Sequence, residues 1–146
     1  MASLDRLDEN FTYHQRALLQ YRSTVGDTDS ATGDACYKVA GHYLREQDYE
    51  QAQYGRHSSL KTCANHCSSL LEQALDAYHE RPYLRPQVGR TRLRLQFVLL
   101  ALHKVPEAEN QQDLYRDIYR ELKPDFDELD TPSEADFDRF AAYDSR

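Results

Sequence analysis

The sequence predicts an all-α fold built from antiparallel helical hairpins, and three observations carry the prediction. Apolar residues recur at three- and four-residue steps along most of the chain, and no convincing stretch alternates apolar and polar residues as a half-buried strand does. The composition, 40% hydrophobic and 29% charged with 5 Gly, is that of a globular chain rather than a disordered one. Two short segments, Asp48-Tyr49-Glu50-Gln51-Ala52 and Val105-Pro106-Glu107-Ala108, match each other: each follows one helical stretch and opens the next. A small Ala, placed three residues after an aromatic or aliphatic one, lets a partner helix approach closely.

The elements follow in order. Leu4 to about Tyr21 forms the first helix, with Leu7, Phe11, His14, Ala17, Leu18 and Tyr21 on its apolar side. Residues Thr24 to Asp29 form a loop in which Gly26 is suited to end that helix. A second helix runs from Ser30 or Ala31 to Glu46 and buries Cys36, Val39, Ala40, Tyr43 and Leu44. A turn at Gln47 leads into a helical stretch from Asp48, broken near Gly55 and continuing to Tyr78. Two prolines, Pro82 and Pro86, make Arg81–Pro86 a loop, and Pro86 then opens a helix to about Leu102. The next helix spans Pro106 to Leu122 and stops at Lys123-Pro124-Asp125. The last starts at Thr131 as N-cap, with Pro132 first and Glu134 third as a capping box, and ends near Ala142.

In register, Val39, Ala40, Tyr43, Tyr49 and Ala52 fit a tetratricopeptide repeat, and Leu95, Leu99, Leu102, Val105 and Ala108 fit a degenerate second copy. The expected Ala-Leu ending of the first copy comes late, at Ala74-Leu75, so residues 53–69 read as an insertion or helical extension. The reading is therefore a single domain over 1–146: a leading half-repeat, about two repeats, and an acidic tail over 123–146 carrying a capping helix.

A closer resemblance rests on Tyr13-His14-Gln15-Arg16-Ala17-Leu18, on Asp34-Ala35-Cys36-Tyr37-Lys38-Val39-Ala40, and on Arg90-Thr91. It continues through Tyr119-Arg120-Glu121-Leu122-Lys123-Pro124-Asp125, Asp127-Glu128-Leu129 and Asp136-Phe137-Asp138. In these the chain resembles the C-terminal region of fungal kinesin-light-chain-like tetratricopeptide proteins. The resemblance implies a protein-binding repeat scaffold and carries over no nucleotide-linked role.

Composition narrows the partners. A formal charge of -7 and a pI near 5.3 argue against nucleic acid or an anionic membrane. The run Phe97–Leu102 is too short to span a bilayer, and the N-terminal MASLDRLDEN has no apolar stretch of a secretion signal. With 3 cysteines, an odd count, the thiols read as reduced and the address as cytoplasmic.

Each constellation with chemistry has a plainer reading beside it. Cys63, His66 and Cys67 share a helix face as soft metal ligands do, but a structural zinc site needs a fourth ligand from elsewhere. Buried thiols in a helix are the favoured reading, and no metal or cofactor is expected. His42, and with it His14, could serve as a general acid or base in a closed groove. A polar residue on the groove face is the favoured reading of His42. Arg81, Arg85, Arg90, Arg92 and Arg94 form a basic run, and Asp125, Asp127, Glu128, Asp130, Glu134, Asp136 and Asp138 an acidic one. The two runs either clamp the last helix onto the fold, the reading slightly favoured, or leave the arginines to grip a carboxylate or acidic peptide.

The expected function is binding of a peptide or partner helix in a concave groove. Asp34, Tyr37, Gly41, Leu44 and Arg45 line it from one helix, and Arg90, Leu93, Arg94 and Phe97 from another. The alternative is a small-molecule binder or a cofactor-free cyclase or isomerase of a fungal biosynthetic pathway, built on a truncated repeat fold with histidines and tyrosines moving protons. A third expectation is a homodimer through the N-terminal helix, whose outer flank lacks a preceding repeat.

Overall fold

The computed structural model describes residues 2–54, 57–78, 81–127 and 131–144, with side chains described outside 2–8, 45–54, 57–63 and 141–144. The described residues hold six α-helices and one 3-10 turn, and no strand occurs among them. The chain divides into two compact units, Met1–Ala77 and Tyr78–Arg146.

The first unit holds α1 (Ala2–Thr24), α2 (Ser30–Tyr54) and nearly all of α3 (His57–Tyr78). Gly26, at φ +91°, ends the α1 segment in the left-handed region, and its N–H donates to the Tyr21 carbonyl at 3.0 Å. Asp29 then caps α2 by accepting the Ala31 N–H at 2.9 Å. The buried Thr32 hydroxyl donates back to the Gly26 carbonyl at 2.7 Å and fixes the loop. Phe11 meets His42 and Tyr43, so α1 and α2 are antiparallel. The Cys67 thiol, which donates to the Ala40 carbonyl at 3.4 Å, and the Tyr43–His66 ring contact set α3 antiparallel to α2. An Arg22–Gln73 hydrogen bond ties α1 to α3 and completes an up-down-up arrangement. Leu18, Cys36, Val39, Ala40, Cys67, Leu71 and Ala74 are buried there.

One expected boundary is overturned. No turn forms at Gln47: α2 runs without interruption to Tyr54. Residues 46–49 contain neither Gly nor Pro, so nothing in the backbone opposes continuing the helix, and the repeat register alone cannot break it. Helix α2 ends at Tyr54 and α3 begins at His57, and the break expected near Gly55 lies outside the described residues. The 53–69 stretch, expected as an insertion or extension, is the end of α2 and the first part of α3.

The second unit comprises a 3-10 turn (Pro82–Leu84), α4 (Arg85–Ala101), α5 (Val105–Leu122) and α6 (Glu134–Asp144). Arg85 pairs with Glu121, and Arg92 donates to Gln111, so α4 and α5 form an antiparallel hairpin. Its turn is a Schellman motif: Lys104 N–H donates to Leu99, His103 N–H to Leu100, and His103 takes the left-handed position at φ +61°. Ala108 is buried, as the small-residue spacing requires.

The start of α6 corrects the expected cap. Ser133, not Thr131, is the N-cap: its hydroxyl accepts the Asp136 N–H at 3.3 Å, and Asp136 accepts the Ser133 N–H at 2.8 Å. The box is thus Ser-x-x-Asp, with the buried Pro132 ahead of the helix rather than inside it. Phe137 enters a notch that exists because position 89 is glycine; a Cβ there would collide with the Phe137 ring. Phe137 is fully buried and lies edge-on to Tyr115 and Tyr119 of α5.

Candidate functional site

Among the described residues, two places have the makings of a site, one in each unit. The first is the α4 face carrying Arg90, Arg94 and Phe97. Arg94 holds Glu134 bidentately, at 2.7 Å and 3.0 Å, and Arg90 holds Asp138 at 2.9 Å. These pairs set α6 antiparallel to α4 and parallel to α5. The acidic tail therefore meets the basic run, and the chain's own last helix occupies the arginines expected to line the groove. Burial of Phe137 contributes roughly 2–3 kcal/mol to that docking, against about 0–1 kcal/mol for a solvent-exposed pair such as Arg90–Asp138. Beyond the arginines the same row stays open: Phe97 is 61% exposed and Leu100 44%, with exposed Val105 beginning α5.

Leu93, expected on the same face of α4, is instead buried in the core, and the remaining expected groove residues belong to the first unit. Tyr37 is buried, at 8% exposure, and so offers little to an open surface. Gly41 is also buried, while Asp34 and Leu44 are half-buried. The side chain of Arg45 lies outside the described residues.

The second place is a cleft of about 330 Å³ in the first unit. Gln15, Leu18, Leu19 and Arg22 of α1, Val39 and Tyr43 of α2, and His66 and Leu70 of α3 line it. Leu18, Leu19, Val39 and Leu70 give it aliphatic surface, and His66 lies across Tyr43 with ring centroids 4.9 Å apart. Arg22 is the one lysine or arginine among these eight side chains. Arg22 is not among the residues that the repeat register singles out, yet the sequence carries a signal for it. It follows Leu18 by four residues and Phe11 by eleven, so an arginine occupies the apolar stripe of α1.

His14 and His42 are brought together, with ring centroids 5.2 Å apart, but against Phe11 rather than on the cleft. His42 is buried. Cys67 points inward to the Ala40 carbonyl while the neighbouring His66 is exposed, and the Cys63 side chain lies outside the described residues. Among the described residues no group of three or more His, Cys, Asp or Glu could hold a metal ion. Burial pushes the Cys36 thiol above its ordinary value, outweighing the charge and hydrogen bond of Arg22, so this sulfur is a poor nucleophile. No described helix is long and apolar enough to cross a membrane.

Searches against protein-family models, curated proteins and solved structures returned no match.

Proposed function

We propose that this chain is a protein-interaction module of tetratricopeptide character, in keeping with its resemblance to kinesin-light-chain-like repeat proteins, and that it takes a partner helix along α4. The observation that carries this reading is the seating of α6. An acidic amphipathic helix already lies on Arg90 and Arg94, and the row continues past it through exposed Phe97 and Leu100. A partner helix presenting apolar residues one turn apart fits the open end. Large exposed apolar residues on one helical row mark interaction surfaces rather than routine surface composition.

The test is selection from a displayed library of helical peptides with the full chain as bait. Enriched peptides that lose binding at least tenfold to Phe97→Asp, while still binding a Tyr13→Asp control, support the reading. Failure to enrich any sequence, or binding indifferent to Phe97→Asp, would remove it.

A further inference from the structure

We infer that the cleft between α1, α2 and α3 is a binding site for a small apolar monocarboxylate, its carboxylate held by Arg22 and its body by Leu18, Leu19, Val39 and Leu70. The inference rests on the first unit alone and does not depend on helix docking along α4.

The first argument is the state of Arg22. Arg85, Arg90 and Arg94 each hold a carboxylate oxygen at 2.9 Å or less. Arg22 does not: its nearest carboxylate, that of exposed Asp27, is 3.8 Å from Nε. Its close partners are neutral, the Gln73 side-chain oxygen and the Cys36 thiol. Gln73 is itself anchored, its amide donating to Ser69 at 3.3 Å. Because the Asp27 contact is long and made by an exposed side chain, the Arg22 guanidinium keeps donors for a bound anion, and a carboxylate matches its planar fork.

The second argument is the shape and chemistry of the walls. About 330 Å³ lies at the lower end of the range for small-molecule sites. All eight lining residues come from helices, whose backbone groups are bonded internally. An extended peptide would bring a main chain needing several partners, and the cleft offers side-chain polarity only at Gln15, Arg22, Tyr43 and His66. An aliphatic acid brings one polar end and needs no others. The Tyr43–His66 ring pair adds flat apolar surface beside its chain.

The experiment is an NMR titration of the isotope-labelled full chain with octanoate, with octanamide as the uncharged analogue and acetyl-Ala-Ala-Leu as a peptide C-terminus. The expected result is saturable one-to-one binding of octanoate, with shifts centred on Arg22, Leu19, Tyr43 and His66. Octanamide should bind at least tenfold more weakly, as should octanoate to Arg22→Gln. Leu19→Asp provides a second variant on an exposed rim position, where a carboxylate at the mouth should cut affinity severalfold. Equal binding of octanamide, shifts away from the cleft, or affinity unchanged in both variants would overturn the assignment. Tighter binding of the tripeptide would overturn it in favour of a peptide terminus, and non-saturating binding would reduce it to detergent-like adsorption.

Discussion

His103 sits at φ +61° in the α4–α5 turn, a conformation that strains any residue carrying a Cβ and suits glycine. His103→Gly should therefore stabilise the chain by about 0.5–1 kcal/mol, the relieved strain exceeding the added freedom of the unfolded state. Urea denaturation gives the answer, with a rise in midpoint at unchanged slope as the expected outcome. Gly89 works in the opposite sense. Alanine is the better helix former by about 1 kcal/mol, but its Cβ would meet the Phe137 ring. Gly89→Ala should destabilise by about 2 kcal/mol through overpacking. In a Phe137→Ala background the same substitution should become neutral or stabilising, because the obstructing ring is gone. A double-mutant cycle by chemical denaturation reads this reversal of sign directly. The sequence itself flags Gly89, since an isolated glycine within a helical pattern marks close packing. It does not flag the partner, because a notch on α4 and a ring on α6 are 48 residues apart in the chain.

At the scale of elements, α6 depends on its cap and its aromatic anchor in different proportions. Phe137→Ala should cost about 3–5 kcal/mol, whereas Ser133→Ala should cost about 1 kcal/mol, an ordering that thermal denaturation can check. The cap also has a pH signature. Hydrogen bonding by the Ser133 N–H, ahead of the Ser133 hydroxyl and of Arg139 and Lys123, lowers the Asp136 carboxyl below its ordinary value. Its stabilising contribution is full above the ordinary carboxylate value near 3.9 and fades as pH falls through the depressed native value. Asp136→Asn should flatten the low-pH limb of a stability–pH profile, and an unchanged limb would assign that dependence to other carboxylates. The helices themselves are largely legible in the sequence, because 3.6-residue periodicity and the Gly, Pro and Asp punctuation act locally. The expected turn at Gln47 fails for the same reason in reverse: a repeat register supplies a break where the local chemistry of residues 46–49 supplies none. The tail-to-arginine clamp is legible as a charge pattern, since Arg90 and Arg94 are the bases that face Asp138 and Glu134. The cleft is not, because it needs three helices to meet and its charge comes from a single arginine on an apolar stripe.

For the whole molecule, the all-α class follows from the sequence, but its division into two compact units does not, since the boundary falls at Ala77–Tyr78 near the end of α3. No glycine, proline or change of composition marks residues 77–78, and only the distribution of contacts reveals the two bodies. Each has its own buried core: Leu18, Ala40, Cys67 and Leu71 in the first, and Leu95, Val98, Tyr115 and Phe137 in the second. Separate cores predict separable local stability, because a cavity loses contacts chiefly among the side chains that line it. Leu71→Ala should lower hydrogen-exchange protection across α1 to α3 by an amount matching about 3 kcal/mol and leave the α4–α5 hairpin protected. Phe137→Ala should do the converse, exposing α4 to α6 while the first unit holds. Residue-resolved native-state exchange under slightly denaturing conditions separates these patterns from the alternative, in which either substitution lowers protection everywhere by one common amount. The common loss would mean that the chain opens as one cooperative body in spite of its two cores. The separated loss would mean that the α1–α3 cleft and the α4 surface can each be altered without melting the other, which is the condition for the two proposed sites to act independently.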